Sequence, residues 1–346
     1  MQSIIHSKEY KHVHPIFSEI ERFFTFTSEL KAKPSMLPYV WDKSFSCLYD
    51  IFTNYGGFEG DCEFINKHYK KLELPEFDPK NIILCFSGGK DSVAAIKYYK
   101  EHGYNVYLFH VPKINPSQNR EETEQSVEIA KYLGLPIYIE EIKISGKHEW
   151  VEHPMKNMII ATCALEWGIK NNITTKVAFG NYQTSYIDDD SFEFCSGDDV
   201  EMWGAYEIIV SKVIPNFEIN LCLKNILTSM EAVCPDKELL NLTVSCLGRS
   251  SLRKRNHDWI LSKFGVNLPT HRCGQCYKCC HEYLYMVEHG LQEFNDRYYN
   301  YCLKRLKANL DKERYVDDTS VEEICERFFV DPKSEYLKRA LKVGKI

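Results

Sequence analysis

The chain has 346 residues, of which 44% are hydrophobic and 27% charged, a composition that excludes a fibrous or mostly disordered protein. With 43 Lys and Arg against 49 Asp and Glu, the formal net charge of -6 excludes a whole-molecule field that would draw it onto nucleic acid or an anionic membrane. It opens without a basic-then-apolar leader and has no apolar run long enough to span a bilayer, so a reducing cytoplasm is expected. There, the clusters among its 14 cysteines should serve metals or thiol chemistry rather than disulfides.

Residues 1 to about 80 are irregular in pattern, broken by Pro34, Pro38, Gly56, Gly57 and Gly60, and carry no readable chemistry. After a connector, Leu74 to Pro79, the run Asn81 to Phe86 is continuously apolar and predicts a buried parallel strand. Helical spacing follows from Ser92 to His102, then a stop at Gly103 and a second strand from Val106 to His110. The alternation continues with a helix from about Arg120 to Leu133, a strand from Ile137 to Ile142, a helix from about Met155 to Asn171 and a strand from Val177 to Phe179. This pattern predicts an α/β fold, a mostly parallel sheet with helices on both faces and ligands at the carboxyl ends of its strands. The end of the chain reads as charged and helical, at Asn300 to Lys312 and Val321 to Phe329.

Between the first strand and first helix lies Ser87-Gly88-Gly89-Lys90-Asp91-Ser92. Two glycines at a helix start let backbone amides approach a polyphosphate, whose charge the helix dipole favours. A Walker A loop would need Gly at Leu84 and Ser or Thr at Asp91, so it is not one. The plainer alternative is a capped strand-to-helix turn.

The other concentrated signal is Cys273-Gly274-Gln275-Cys276-Tyr277-Lys278-Cys279-Cys280. Overlapping C-x-x-C steps bring three thiolates to one ion, and a closed zinc site wants a fourth ligand from among Cys246, Cys280, His271 and His281. A redox pair or an iron-sulfur site are the alternatives. Scattered cysteines (Cys47, Cys62, Cys85, Cys163, Cys195, Cys222, Cys234, Cys302, Cys325) read as small buried hydrophobes.

The Ser-Gly-Gly-Lys-Asp-Ser turn after an apolar strand resembles the signature of the PP-loop ATP pyrophosphatases, which cleave ATP between its α and β phosphates. Leu242-Thr243-Val244-Ser245-Cys246 followed by Cys-Gly-x-Cys-x-x-Cys resembles the zinc motif of the 7-cyano-7-deazaguanine synthases (QueC). Lys156-Asn157, Gly180-Asn181 and Leu227-Thr228 are weaker echoes, and the likeness spans about residues 81 to 285. It implies a PP-loop (HUP-type) domain over 81–285, with an N-terminal extension, 1–80, and a helical C-terminal extension, 286–346, beyond the zinc knuckle.

By this resemblance, Ser87, Gly88, Gly89, Lys90, Asp91 and Ser92 hold the pyrophosphate of Mg2+-bound ATP, with Lys90, Asp91 and Ser87 catalytic and Asn157 and Gly180 also at the nucleotide. Zn2+ falls to Cys246, Cys273, Cys276 and Cys279. An acidic residue, Asp198 or Asp199, reads the donor edge of a 7-deazaguanine, and Arg120 is a weaker carry-over. The implied reaction adenylates the carboxylate of 7-carboxy-7-deazaguanine and forms an amide with an amine. That amine is ammonia on the way to the nitrile of queuosine biosynthesis, or a protein amine, as in QueC-like members of antiphage defence operons.

A longer insert than the synthases carry, with Arg249, Arg253, Lys254, Arg255 and His257, is either a solvated helix face or a patch that meets phosphate or an acidic partner, such as a macromolecular acceptor. Two rival readings stay open: a tRNA thiolase, disfavoured by the acidic balance, and a non-catalytic nucleotide-binding module. The oligomeric state, a homodimer included, is also open.

Overall fold

The computed structural model describes residues 5–7, 71–112, 116–140, 156–182, 214–223, 226–246 and 250–312, with Trp203, Glu207, Val210, Ser211, Glu335, Tyr336 and Arg339 as single positions. The chain divides into two compact units. The first comprises residues 1–86, 98–119 and 135–222; the second comprises 87–97, 120–134 and 223–346.

The first unit is built on a sheet of strands β1 (Ile5–Ser7), β2 (Asn81–Cys85), β3 (Asn105–His110), β4 (Ile137–Glu140), β5 (Lys176–Tyr182) and β6 (Glu218–Leu223). Their order is β1-β4-β3-β2-β5-β6, and the five from β1 to β5 are all parallel. β2 is central because its apolar run can be buried on both faces: Ile82, Ile83 and Leu84 are fully buried. It pairs Leu84 with Leu108 on one side and with Ala178 on the other.

Helix α3 (Lys156–Lys170) covers part of the sheet through Trp167, stacked 4.8 Å from Tyr138, which lies 5.5 Å from Phe109. At the carboxyl end of β3, His110 donates from Nδ1 to the Phe86 carbonyl at 2.8 Å, so the chain leaves β2 tied to its neighbour.

Helix α1 (Lys90–Glu101) and helix α2 (Pro116–Tyr132) join successive strands, as the alternating pattern predicts. The strand expected to end before Gly180 instead runs through Gly180 and Asn181. β1 was not legible in the irregular N-terminal stretch, yet it extends the sheet beside β4, where Ile5 faces Tyr138. Three residues, Ile5-His6-Ser7, are too short to show a period.

The second unit is helical: α4 (Ile226–Val233), α5 (Lys237–Leu242), α6 (Ser250–Phe264), α7 (Tyr277–Glu288) and α8 (Asp296–Lys312), with the start of α1 and most of α2. α7 and α8 pack against each other through Tyr283 and Tyr298, both fully buried and edge-to-face at 4.6 Å. α5 begins on Asp236, whose carboxylate accepts from the Leu239 amide. The helix expected at Val321 to Phe329 lies outside the described residues, as do Cys47, Cys62, Cys195 and Cys325. Of the other scattered cysteines, Cys85, Cys234 and Cys302 are buried; Cys163 and Cys222 are half-buried. No helix among the described residues is long and apolar enough to cross a membrane.

Candidate functional site

The glycine turn and the cysteine cluster, far apart in sequence, lie in the same unit. Gly88 has φ +74°, a left-handed conformation, and a Cβ there would stand 2.8 Å from the Oγ of the buried Ser126 on α2. Both observations require glycine. The turn is closed internally by the Ser87 and Ser92 hydroxyls, 3.2 Å apart, and by Ser92 Oγ donating to the Gly89 carbonyl at 3.0 Å. Its backbone amides lead into a helix of 12 residues, where partial positive charge suits an anion.

The segment before Cys246 is laid against this turn. The Val244 amide donates to the Gly88 carbonyl at 3.1 Å, and the Lys90 amide donates to Ser245 Oγ at 2.8 Å. Ser245 thereby satisfies one of the orphan amides at the start of α1.

Lys90 is buried rather than solvated, and its Nζ lies 3.5 Å from Glu282 Oε2. Glu282 in turn takes two bonds from Arg272, Nε to Oε1 at 2.6 Å and Nη2 to Oε2 at 3.2 Å. Arg272 directs its other donors mainly to the C-terminal end of α5, through the Thr243 carbonyl at 2.6 Å and Thr243 Oγ1 at 2.9 Å. Burial penalises the Glu282 charge, but Arg272 and then Lys90 outweigh it, so the carboxyl titrates below the usual range. Two cations thus share one carboxylate in a buried triad of formal charge plus one.

The sulfurs of Cys246, Cys273, Cys276 and Cys279 lie within 4.8 Å of one another. The separations are 3.9 Å for Cys246 and Cys276, 4.0 Å for Cys273 and Cys279, and 3.4 Å for Cys276 and Cys279. A tetrahedral ion with bonds of about 2.3 Å needs sulfurs about 3.8 Å apart, so the set fits zinc. The amides of Gln275 and Cys276 donate to Cys273 Sγ at 3.4 and 3.3 Å, which stabilises a thiolate there.

The neighbouring sulfurs, Cys246 first, hold Cys276 far below the ordinary thiol range; Cys273 is lowered to about 7, chiefly by Cys246. Four sulfurs sharing protons in this way form a site for a soft cation. Gly274 makes the knuckle possible: φ is +68°, and a Cβ would meet Leu268 Cδ1 at 2.6 Å and Ile260 Cγ1 at 2.7 Å.

The other candidates for the fourth ligand are elsewhere. Cys280 turns its thiol to the Gly274 carbonyl, and His281 bonds through Nε2 to the Tyr336 hydroxyl at 2.6 Å. His281 is fully buried, and that burial, with Lys90 nearby, lowers its pKa to about 3. His271 is not in the four-sulfur group either.

Of the remaining expected residues, Asn157 opens α3 and Gly180 is buried within β5, both in the first unit. Arg120 lies on α2, with its side chain outside the described residues, as are Asp198 and Asp199 altogether. The basic insert forms α6, but only Lys254 and Arg255 of its five named residues are seen exposed. Arg253 is buried, His257 is half-buried with Nε2 on the Leu268 carbonyl, and Arg249 lies outside the described residues.

Sequence reading missed Arg272 and Glu282 altogether, and it gave Ser245 no role beyond the cysteine motif. The available signal was placement: Arg272 directly precedes a ligand, and Glu282 follows Cys279 by three, on the same face of α7. No protein-family model matches the chain, and no curated protein matches it either.

Proposed function

We propose that this protein is an ATP-dependent, AMP-forming carbon-nitrogen ligase of the PP-loop type, resembling the 7-cyano-7-deazaguanine synthases, which adenylates the carboxylate of a 7-deazaguanine and passes it to an amine. The observation that carries the reading is the buried Lys90–Glu282–Arg272 triad beneath the Ser87–Ser92 turn. Arg272 pairs Glu282 without help, so Lys90 can turn to a phosphate without leaving a buried charge unpaired.

In the proposed reaction a carboxylate oxygen attacks the α-phosphorus of ATP, and the bond to the bridging oxygen breaks. Pyrophosphate leaves with the electron pair, and an acyl adenylate forms. An amine then attacks the acyl carbon, loses a proton and expels AMP to leave an amide. The turn amides and Lys90 would hold the leaving pyrophosphate, and such preorganised charge is the main contribution a protein makes to this chemistry. Zn2+ at the four cysteines would be structural, since four thiolates leave no open position for substrate. Mg2+ would arrive with ATP.

The test is incubation with ATP, 7-carboxy-7-deazaguanine and ammonia or proteins of the same operon, read by mass spectrometry. AMP, pyrophosphate and an amide, a nitrile or a protein heavier by one deazaguanine are expected. Release of ADP and phosphate sinks the reading.

A further inference from the structure

We infer that the four-cysteine centre is a positioning element of the phosphate turn, acting through Ser245 and Glu282, so that metal and nucleotide bind cooperatively. This rests on the reading of the turn as a phosphate loop. Each ligand-bearing segment reaches Lys90 or its carboxylate partner through a residue at or near its cysteine. Next to Cys246, Ser245 takes the Lys90 amide at 2.8 Å, and Val244 bonds to the Gly88 carbonyl. One helical turn beyond Cys279, Glu282 takes the Lys90 ammonium at 3.5 Å. Next to Cys273, Arg272 joins the two arms by bonding both Glu282 and Thr243.

Residues 243–246 form no helix or strand, so their position rests on the bonds of Thr243 to Arg272 and on the ties at Val244, Ser245 and Cys246. Removing the ion from sulfurs held within 4.8 Å of one another leaves protons or repulsion between thiolates in its place. The Cys246 end of the 243–246 segment then loses a tie, and with it shift the Ser245 hydroxyl that takes the Lys90 amide and the Val244 amide that donates to the Gly88 carbonyl. Reciprocity follows from linkage: whatever the metal adds to nucleotide affinity, the nucleotide adds to metal affinity.

The test uses the full chain loaded with zinc and α,β-methylene-ATP, whose bridge resists cleavage between α and β, with excess Mg2+. Zinc release to a colorimetric chelator is timed with and without the analogue, whose binding is measured separately by calorimetry. The expected result is zinc release slowed about fivefold or more, together with analogue affinity about fivefold or more weaker in the metal-depleted protein, the lower end of coupled sites. Ser245→Ala should abolish the protection while still holding one zinc, and Ser245→Thr, which keeps the hydroxyl, should restore it. A merely structural serine would leave the protection unchanged. Equal affinity with and without zinc, or unprotected release at saturating analogue, overturns the coupling alone. Failure of the zinc-loaded protein to bind the analogue at all overturns the phosphate-loop reading together with the coupling.

Discussion

Lys90 Nζ lies 3.5 Å from Glu282 Oε2, with the two side chains only 5% and 2% exposed. A lysine expected to face phosphate therefore has a carboxylate partner, one that it shares with Arg272.

The triad predicts an ordering of variants. Glu282→Gln leaves two buried cations without an anion and should cost about 3–5 kcal/mol of stability, as broken buried pairs do. Lys90→Met leaves the Arg272 pair intact and should cost only about 1–2 kcal/mol, yet lower ATP cleavage at least about a hundredfold. Urea unfolding alongside AMP release checks both, and equal destabilisation by the two variants would contradict the order of pairing.

Gly88→Ala should damage function more than Gly103→Ala, although both positions are left-handed at φ +74° and +78°. Each costs about 1–2 kcal/mol for the backbone. Only at Gly88 does the new methyl also meet Ser126 Oγ; at Gly103 nothing lies within 4 Å. A Gly88→Ala, Ser126→Ala double variant should recover part of the stability loss in a double-mutant cycle. Strict additivity would show that the contact is without consequence.

Metal analysis should find one zinc per chain. Cys276→Ser should lose the ion and lower thermal stability, because a closed tetrathiolate couples metal to folding. Gly274→Ala should do the same without touching a ligand, since its methyl has no room beside Leu268 and Ile260. Iron with labile sulfide in place of zinc would favour the thiolase reading.

His281 predicts an acid-side loss of stability. Its folded pKa is lowered by burial to about 3, below the ordinary 6.5. The neutral form is thus favoured by folding: the contribution is complete above 6.5 and is lost progressively as pH falls towards 3. Between pH 7 and pH 5 this amounts to about 2 kcal/mol. Unfolding curves at those two pH values should show a smaller difference for His281→Gln than for the parent chain. An identical difference would mean that His281 is not what titrates.

The primary sequence by itself determined the strand-turn-helix order, because a run such as Ile82, Ile83 and Leu84 is buried on both faces wherever it sits. It determined the glycine turn, and, with the help of a resemblance, it singled out the four cysteines now seen together. These signals are local: a period, a left-handed position, a short spacing. Only the tertiary structure decided that residues 243–246 lie on the turn, that Lys90 pairs with Glu282 and that Arg272 bridges the two. It also decided that Arg253 and His257 are not part of an exposed basic face, and that a short N-terminal strand joins the sheet edge. Several of those facts rest on contacts between residues far apart in the chain, as between Lys90 and Ser245, 155 positions apart. A charged residue on a helix looks the same in sequence whether it faces water or a buried partner; what separates the two is the low-dielectric surrounding that folding creates.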